Sequence, residues 1–200
     1  MKNIINIVLN ELDNFIQNKN LNILKKNLKK NIEIYVDVGA HNGEMIEIIF
    51  DKFNVKKIFA FEPNPNCIKK LKKIKKKNLK IFEMALGDKS SSAKLNIGHI
   101  SSMSTINDIN NKSFYTMIKK FVIGLFYLKN SIYKNKIHVK IETLFNVLKD
   151  HKIKNIDFIK IDTEGHEFNV LKGLKNYIKK TNIILLEYHY DDSLIKNYDF

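Results

Sequence analysis

Acidic side chains follow several of the apolar runs in this sequence, and their placement is the first indication of a chemical site. The five that end predicted strands are Asp37, Glu62, Glu83, Asp162 and Glu187. In parallel α/β sheets, ligands bind outside the carboxyl ends of the strands. We therefore expect these carboxylates to border one crevice, where they could accept hydrogen bonds from a ligand or remove a proton from it.

The run 34–43, IYVDVGAHNG, predicts a strand, a glycine turn and the start of a helix. The strand ends at Asp37, and Gly39 and Gly43 bracket the turn. Glycine lets the backbone turn tightly and approach a ligand, because no Cβ is in the way. This order of elements is typical of the opening of a nucleotide-binding α/β unit. The glycine spacing is neither that of the dinucleotide fingerprint nor that of a phosphate loop.

Glu62 ends the second predicted strand, 57–62. It stands about 20 residues after the glycine turn, the distance at which an acidic residue of a doubly wound fold accepts hydrogen bonds from ribose hydroxyls. The alternative is a solvated carboxylate at the end of a strand. Pro63 stops the strand, and Pro65 suits the first turn of the helix that follows.

The segment 162–167, DTEGHE, follows a mostly apolar run and concentrates groups that could move a proton. Histidine has an unperturbed pKa of about 6.5, which suits a general base at neutral pH, and an aspartate could serve as well. The catalytic candidates are Asp162, Glu164, His166 and His189, with His41 as a further histidine that could act as the base. A histidine of this kind is also commonly a hydrogen-bonded structural residue.

Lys160 and a possible metal site are further features of this region. Lys160 lies within the predicted strand 156–161, so its ammonium needs a carboxylate or backbone partner when the strand is buried. Asp162, Glu164 and His189 could together hold a metal, but their spacing is not diagnostic of a metal site. We predict no metal.

Strands alternate with helices along the chain, which predicts an α/β fold. We expect a Rossmann-like, doubly wound, mostly parallel sheet with helices on both faces. The principal predicted strands are 34–37, 57–62, 79–84, 156–161 and 183–187, with shorter strands at 93–97 and 137–141. Residues 85–88 are predicted to turn away from the sheet. Helical spacing of apolar residues from Ile4 to Ile16, and again in 21–30, predicts helices that cover the sheet.

We divide the chain into an N-terminal helical segment, 1–33, and a main domain, 34–200. An apolar helix at 114–128 interrupts the alternation and defines an insertion at about 112–130. Its apolar residues could form a lid over an acceptor pocket, an interfacial patch or a dimer contact. They could also simply pack on the core.

The composition limits the choice of partners. The net charge is +14, and all 35 basic residues are lysine. Because nucleic-acid readers depend on arginine for bidentate contacts, we regard a nucleic-acid partner as disfavoured. The single cysteine, Cys67, cannot form an internal disulfide, which fits a reducing compartment. No signal peptide is visible and no apolar run approaches the ~20 residues of a membrane span, so we predict a cytoplasmic protein.

Taken in order, five motifs resemble those of one family, the FkbM family of S-adenosylmethionine-dependent methyltransferases. They are YVDVGAHNG, FAFEPNP, ALGD, IDFIKIDTEGHEFNVLKG and ILLEYH. The resemblance runs from Ile34 to His189, and KIDTEGHE is its most specific part. It implies a fold of the class I methyltransferase type and S-adenosyl-L-methionine as cofactor. The implied activity is O-methylation of a hydroxyl on a sugar, a glycolipid or a secondary metabolite. A peripheral membrane surface or a lipid-linked acceptor would be compatible with it, and the oligomeric state stays open.

The resemblance also implies roles for residues. The turn, with Asp37, Gly39 and Gly43, would line the methionine part of the cofactor, Glu62 its ribose, and 83–85 its adenine. The full set of predicted cofactor-binding residues is Asp37, Gly39, Ala40, His41, Asn42, Gly43, Glu62, Pro63, Glu83, Met84, Ala85 and Asp162. Asp37 and Asp162 would repel each other, so we expect a cationic part of the cofactor to lie between them.

The sequence departs from the family pattern in two places. Phe145 stands where the family often has aspartate, and the eleven residues after His189 are too few for the pair of strands that usually ends such a sheet. These departures leave open the alternative that the chain is a catalytically inactive cofactor-binding protein. A nucleic-acid methyltransferase would suit the charge, but its Asp/Asn-Pro-Pro-Tyr/Phe motif is lacking. An NAD-dependent oxidoreductase would suit Glu62, but not the glycine spacing.

Overall fold

The computed structural model describes residues 22–127, 131–188, 190–196 and 198. Its strands are β1 (Asn31–Val38), β2 (Asn54–Phe61), β3 (Leu79–Phe82), β4 (Ala85–Leu86), β5 (Ser91–Gly98), β6 (Tyr133–Glu142), β7 (Ile156–Ile161) and β8 (Thr181–Leu186). Its helices are α1 (22–27), α2 (Glu44–Lys52), α3 (Pro65–Leu71), α4 (Phe114–Tyr127), α5 (Leu144–Asp150) and α6 (Glu167–Leu174). Short 3-10 helices span Ser101–Met103 and Lys175–Lys180. The helix predicted from Ile4 to Ile16 lies outside the described residues.

Five strands form a parallel sheet in the order β3-β2-β1-β7-β8. The chain runs outward from β1 to β3 and returns to β7 on the other side of β1. The carboxyl ends of β1 and β7 therefore flank the point where the strand order reverses, which is where doubly wound folds bind their ligands. The register places Asp37 beside Lys160, so residues at the ends of the two strands are neighbours.

Both faces of this sheet are covered, as predicted for a doubly wound fold. Successive side chains of β1 point to opposite faces, so Tyr35 packs in one layer and Val36 in the other. The first layer includes buried residues of α1, α2 and α3, such as Leu24, Ile46 and Leu71. The second layer is formed with α5 and α6. Burial on both sides explains why the central strands are almost continuously apolar.

A second, three-stranded sheet follows β3, in the order β4-β6-β5. The residues predicted to turn away at 85–88 begin with β4, whose Ala85 and Leu86 pair in parallel with Ile141 and Glu142. These residues leave the five-stranded sheet as predicted, but the strand that they form in a second sheet was not predicted, because its pairing depends on a partner more than 50 residues away in sequence. The predicted strands at 93–97 and 137–141 are confirmed and are longer, as β5 and β6.

The predicted insertion lies between β5 and β6 and contains α4. The first strand includes residues 31–33, which we assigned to the N-terminal segment. After β8, the described residues form no named strand, but Leu194 makes an isolated antiparallel bridge with Ile109. The C-terminal segment is thereby attached to the loop that precedes α4. The division of the chain into domains stays a prediction.

Candidate active site

The glycine turn is held against the ends of both neighbouring strands. The N–H groups of Gly39 and Ala40 both donate to the carbonyl of Phe61, each at 3.0 Å. Gly39 has a φ of 75°, and a Cβ at this position would lie 1.7 Å from the carbonyl oxygen of Asp162. Gly43 has a φ of 95° and is followed by α2. Glycine is therefore required at 39 by both its backbone conformation and its contact with the end of β7.

Glu62 is held in one orientation beneath this turn. Its side chain is only 7% exposed, and its two carboxylate oxygens accept hydrogen bonds from the N–H groups of His41 and Asn64, both at 2.8 Å. Burial raises the pKa of Glu62 to about 7, although the two N–H donors favour its charged form. The alternative of a solvated strand-end carboxylate is therefore wrong. Pro63 follows it half-buried, and Asn64 caps α3.

His41 is an ion-paired residue of the turn. Its Nδ1 lies 2.9 Å from Oε1 of Glu44, and its Nε2 lies 2.7 Å from Oγ of Ser101. Burial opposes the charge on His41, but contacts with Cys67 and Glu44 outweigh it and raise its pKa to about 10. Asn42 donates to the same glutamate through its backbone and its side chain. Both ring nitrogens of His41 thus have partners, and a role as general base stays a prediction without support from this geometry.

Lys160 supplies the positive charge between the carboxylates at the ends of β1 and β7. Its ammonium lies 2.8 Å from Oδ2 of Asp162, 3.9 Å from Oδ1 of Asp37 and 3.3 Å from the carbonyl of Gly39. The expectation that Lys160 needs such partners is confirmed. One ammonium offsets only part of the repulsion between two carboxylates, so the expectation that a cationic part of the cofactor lies between them stays a prediction.

Asp37 is fully buried, and burial raises the pKa of its carboxyl, although Lys160 lowers it. In the part of the chain that the structure describes, its oxygens and the Tyr35 hydroxyl make no hydrogen bond of ordinary geometry, yet the Tyr35 hydroxyl is close enough to favour the charged form of Asp37. Buried carboxylates without hydrogen bonds are uncommon because desolvation is costly. Asp37 is thus a polar group beside the glycine turn with unused accepting capacity.

Glu164 lines a small pocket that is open to solvent and has a volume of about 20 Å³. The lining residues include Met103, Ile109, Thr116, Lys119, Glu164 and Ser193. Burial, with the negative charges of Asp162 and Glu187, raises the pKa of Glu164 well above its ordinary value. Its backbone has a φ of 53°, and its carbonyl accepts a 2.6 Å hydrogen bond from the Thr105 hydroxyl. Apolar and polar side chains converge here, but the volume holds about one water molecule, so a larger ligand would bind across the open side of the pocket.

His166 lies on another side of the loop 162–166, which also carries Glu164. Its Nδ1 is 3.2 Å from Oδ1 of Asn107 and 3.1 Å from Nδ2 of Asn169, and its Nε2 faces Gly87. Burial lowers the pKa of His166. These contacts are those of a histidine that fastens the start of α6 to the segment before α4. Its catalytic role stays a prediction without support from this geometry.

Glu167 organises the loop 162–166 and was not predicted. Its fully buried Oε1 accepts hydrogen bonds from the N–H and hydroxyl of Thr163 and from the N–H of Gly165, at 2.9–3.1 Å. Its Oε2 accepts a 2.5 Å hydrogen bond from the Tyr198 hydroxyl. The sequence gives no capping-box signal for this role, because Glu167 lies four residues after Thr163 and is the first residue of α6. These hydrogen bonds at the start of α6 are made by Glu167 and not by Asp162.

The residues predicted to meet the adenine lie at the edge of the site. Glu83 is exposed and forms an ion pair with Lys72. Met84 is half-buried against the core, and Ala85 begins β4. The structure brings Glu83 next to α3 rather than beneath the turn. His189 lies outside the described residues, and its role stays a prediction.

The fold and the site define an α/β domain with a ligand crevice at the switch point of a parallel sheet. Residues 37–199 match the family described as Methyltransferase FkbM domain. The chain belongs to this family, and the resemblance predicted from its motifs is confirmed. No curated protein matches the chain in sequence.

Two solved structures are similar to this chain. One is the methyltransferase FkbM from Methylobacillus flagellatus KT, at 15% identity and a TM-score of 0.46, over 74% of this chain and 30% of that one. The other, from Listeria monocytogenes, is described as a proposed S-adenosylmethionine dependent methyltransferase, at 18% identity and a TM-score of 0.28, over 32% of this chain and 30% of that one. The chain thus spans about 30% of the length of each.

Proposed function

We propose that this domain binds S-adenosyl-L-methionine at the turn 39–43 and transfers its methyl group to a hydroxyl of a sugar, glycolipid or secondary metabolite in the cytoplasm. Membership of the family supports methyl transfer. The single observation that carries the cofactor assignment is Glu62, which is almost fully buried yet fixed beneath the turn at the switch point. A carboxylate has about four accepting positions, and the two backbone N–H donors of Glu62 use only one on each oxygen.

The residues at this edge of the sheet fit the cofactor. Glu62 can still accept both hydroxyls of a ribose, which is the interaction that doubly wound folds use. Asp37 and Asp162 are acidic groups beside the turn that favour a ligand with a cationic end, and Asp37 retains accepting capacity. When bound, S-adenosyl-L-methionine supplies an activated, electrophilic methyl group.

The chain must then position the acceptor and remove its proton. Glu164 is the predicted catalytic residue that lines the pocket. Because its pKa is raised, the ionised form that acts as the base gains population as the pH rises. We assign to it the acceptance of the hydroxyl proton. Asp162 is held by Lys160, so we assign it to positioning. The Ser193 hydroxyl accepts a hydrogen bond from Lys119 and can donate its own proton to an acceptor hydroxyl beside Glu164, whereas the buried Thr116 already donates to the Ser193 carbonyl.

Titration calorimetry with S-adenosyl-L-methionine and with S-adenosylhomocysteine tests the cofactor assignment. Glu62→Gln preserves size and removes the charge, and we expect it to weaken binding about tenfold to a hundredfold, since hydrogen bonds to charged groups contribute roughly 1.5–3 kcal/mol. Glu33→Gln is the matched control, because Glu33 lies exposed at the amino end of β1. Equal affinity of the Glu62→Gln protein and the wild type would refute this role. Binding without turnover on a panel of sugars and glycolipids would favour a cofactor-binding protein.

A further inference from the structure

One side of α4 presents a continuous apolar surface to solvent. Its members, which we term the α4 stripe, are Phe114, Tyr115, Met117, Ile118, Phe121, Val122 and Leu125, exposed by 37–72%. They recur at the spacing of one face of a helix. The opposite side is the attached one, since Thr116 and Ile123 are buried. The helix therefore carries more apolar surface outward than it buries against the domain.

The α4 stripe is large for a surface that only meets water. Aromatic side chains carry ~150–250 Å² each, so the seven exposed residues present on the order of 700 Å² in one patch. Monomeric soluble proteins rarely expose contiguous apolar patches above a few hundred Å². Apolar patches of this size mark surfaces that contact a protein or a membrane.

The charge beside the α4 stripe is carried by lysines, whereas the acidic groups that contact this region, Asp191 and Asp192, meet Lys119 and the buried Ser113. No acidic residue occurs in the chain between Asp108 and Glu142, whereas this segment contains seven lysines. Lys112 and Lys120 flank the stripe at its start and middle, and Lys120 is held by a 3.0 Å hydrogen bond to Asn111. An apolar face with basic residues and aromatic rings is the pattern of a helix that lies in an interface with anionic lipid.

We propose that the α4 stripe docks on the surface of an anionic lipid bilayer, with α4 parallel to the membrane plane. A helix of 14 residues is about 21 Å long, so it suits the interface rather than a crossing of the ~30 Å hydrocarbon core. In the described residues, none of the helices has the length and apolar character needed to cross a membrane. A second copy of the chain is a poorer occupant, because it would bring a second Lys112 and a second Lys120 to the same contact.

This inference does not depend on methyl transfer, yet it bears on the pocket. Thr116 and Lys119, on the attached side of α4, line the pocket at Glu164. A docked α4 would therefore hold that pocket close to the lipid surface. The test needs only the protein and vesicles, so it can fail or succeed whether or not the proposed activity holds.

Vesicle flotation provides the first test. We expect the protein to float with vesicles of phosphatidylcholine that contain about 30% phosphatidylglycerol, and to float less as salt is raised, because the lysine contribution is screened. Phe121→Ser should weaken this binding about tenfold or more, as expected for one lost phenyl group. Ile178→Ser, at an apolar residue that is 45% exposed outside α4, is the matched control and should bind normally.

The chain contains no tryptophan, so a single introduced indole reports its own surroundings. In Phe121→Trp we expect a blue shift of the emission with anionic vesicles only, whereas Tyr190→Trp, at a residue 91% exposed, should show none. Absence of the shift in folded Phe121→Trp protein would overturn the proposal. So would a dimer in the absence of lipid that Phe121→Ser dissociates, because the α4 stripe would then be an interface between copies.

Discussion

The ammonium of Lys160 lies 2.8 Å from the carboxylate of Asp162, two residues further along the chain. The same ammonium is 3.9 Å from Asp37, which is fully buried on the neighbouring strand. The charges at the ends of the two central strands are thus partly offset by a residue of the sheet itself. Burial opposes the charge on Lys160, but the two carboxylates outweigh it and raise the pKa of the ammonium.

Replacement of Lys160 by methionine should destabilise the domain strongly. Removal of one partner of a buried ion pair leaves an uncompensated charge and costs about 3–5 kcal/mol in the free energy of unfolding. The loss should be smaller at pH 5 than at pH 8, since the buried Asp37 can then take up a proton, and its pKa is already raised. Urea denaturation at both pH values measures this.

The control for this prediction is Lys56→Met. Lys56 also forms an ion pair from a strand of the sheet, with Glu33 at 2.8 Å, but both side chains are exposed. Exposed pairs contribute little, because solvent screens them. Equal stability of the two variants would mean that Lys160 does not compensate the buried carboxylates.

Cofactor affinity should depend on pH through Glu62. Its pKa in the protein is about 7, and a carboxylate accepts hydrogen bonds from ribose hydroxyls better than a carboxylic acid does. Below pH 7, Glu62 must lose a proton before the cofactor binds. Affinity should therefore increase with pH, by at most about tenfold per pH unit, and become constant above pH 7. Calorimetry with S-adenosylhomocysteine from pH 5.5 to 8.5 tests this. Glu62→Gln should remove the slope; if the slope persists in that variant, another group is responsible.

The His41–Glu44 pair should contribute to stability over a wide pH range. The pKa of His41 is raised from 6.5 to about 10, so its contribution is complete below pH 6.5 and is lost as the pH rises through about 10. The pKa of Glu44 is lowered to about 2, so its contribution is present above its ordinary value of 4.5 and is lost as the pH falls through about 2.

Nuclear magnetic resonance can check the first half of this prediction. The ring protons of His41 should report a protonated imidazole at pH 8, and His41→Asn should flatten the fall in stability between pH 7 and 10. Asparagine tolerates the left-handed backbone that His41 adopts, with a φ of 49°. His138→Gln, at an exposed position on β6, should leave the fall unchanged. A neutral His41 at pH 8 would contradict the ion pair.

The sequence alone predicted the parallel sheet well, because its central strands are apolar runs ended by turn residues. The predicted strand 156–161 coincides with β7. β4 was missed, since a strand of two residues has no periodicity and forms only through its pairing with β6. The apolar character of α4 was recognised, but not which side faces solvent, because apolar residues occur on both sides of that helix.

The site was predictable where the spacing between two motifs is itself informative. The glycine turn and Glu62 are such a case, because the N–H of His41 and the Glu62 carboxylate that accepts it lie 21 residues apart in sequence. The contact between His41 and Ser101 could not be predicted in this way, because the two residues are 60 positions apart in sequence. Lys160 needed a partner, but the sequence could not show that it would meet Asp37 and Asp162 together. Long-range contacts of this kind follow from the fold and not from local pattern.

Glu164 should be the residue whose loss separates binding from chemistry. It lines the pocket, whereas the Asp162 carboxylate is engaged by Lys160, so we expect Glu164→Gln to slow methyl transfer by about 10²–10⁴, the range of general-base contributions. Glutamine preserves the shape of the side chain and removes its charge, and urea denaturation checks that the variant stays folded. Turnover is measured as S-adenosylhomocysteine production with an accepted sugar or glycolipid. Cofactor affinity is measured by calorimetry and should stay within about threefold of the wild type, because the base acts in proton transfer and not in cofactor binding.

Glu142→Gln, at the end of β6 beside Ser90, serves as the control and should retain turnover. If Glu164→Gln turns over at the wild-type rate while Asp162→Asn does not, Asp162 is the base and the assignment of Glu164 is wrong.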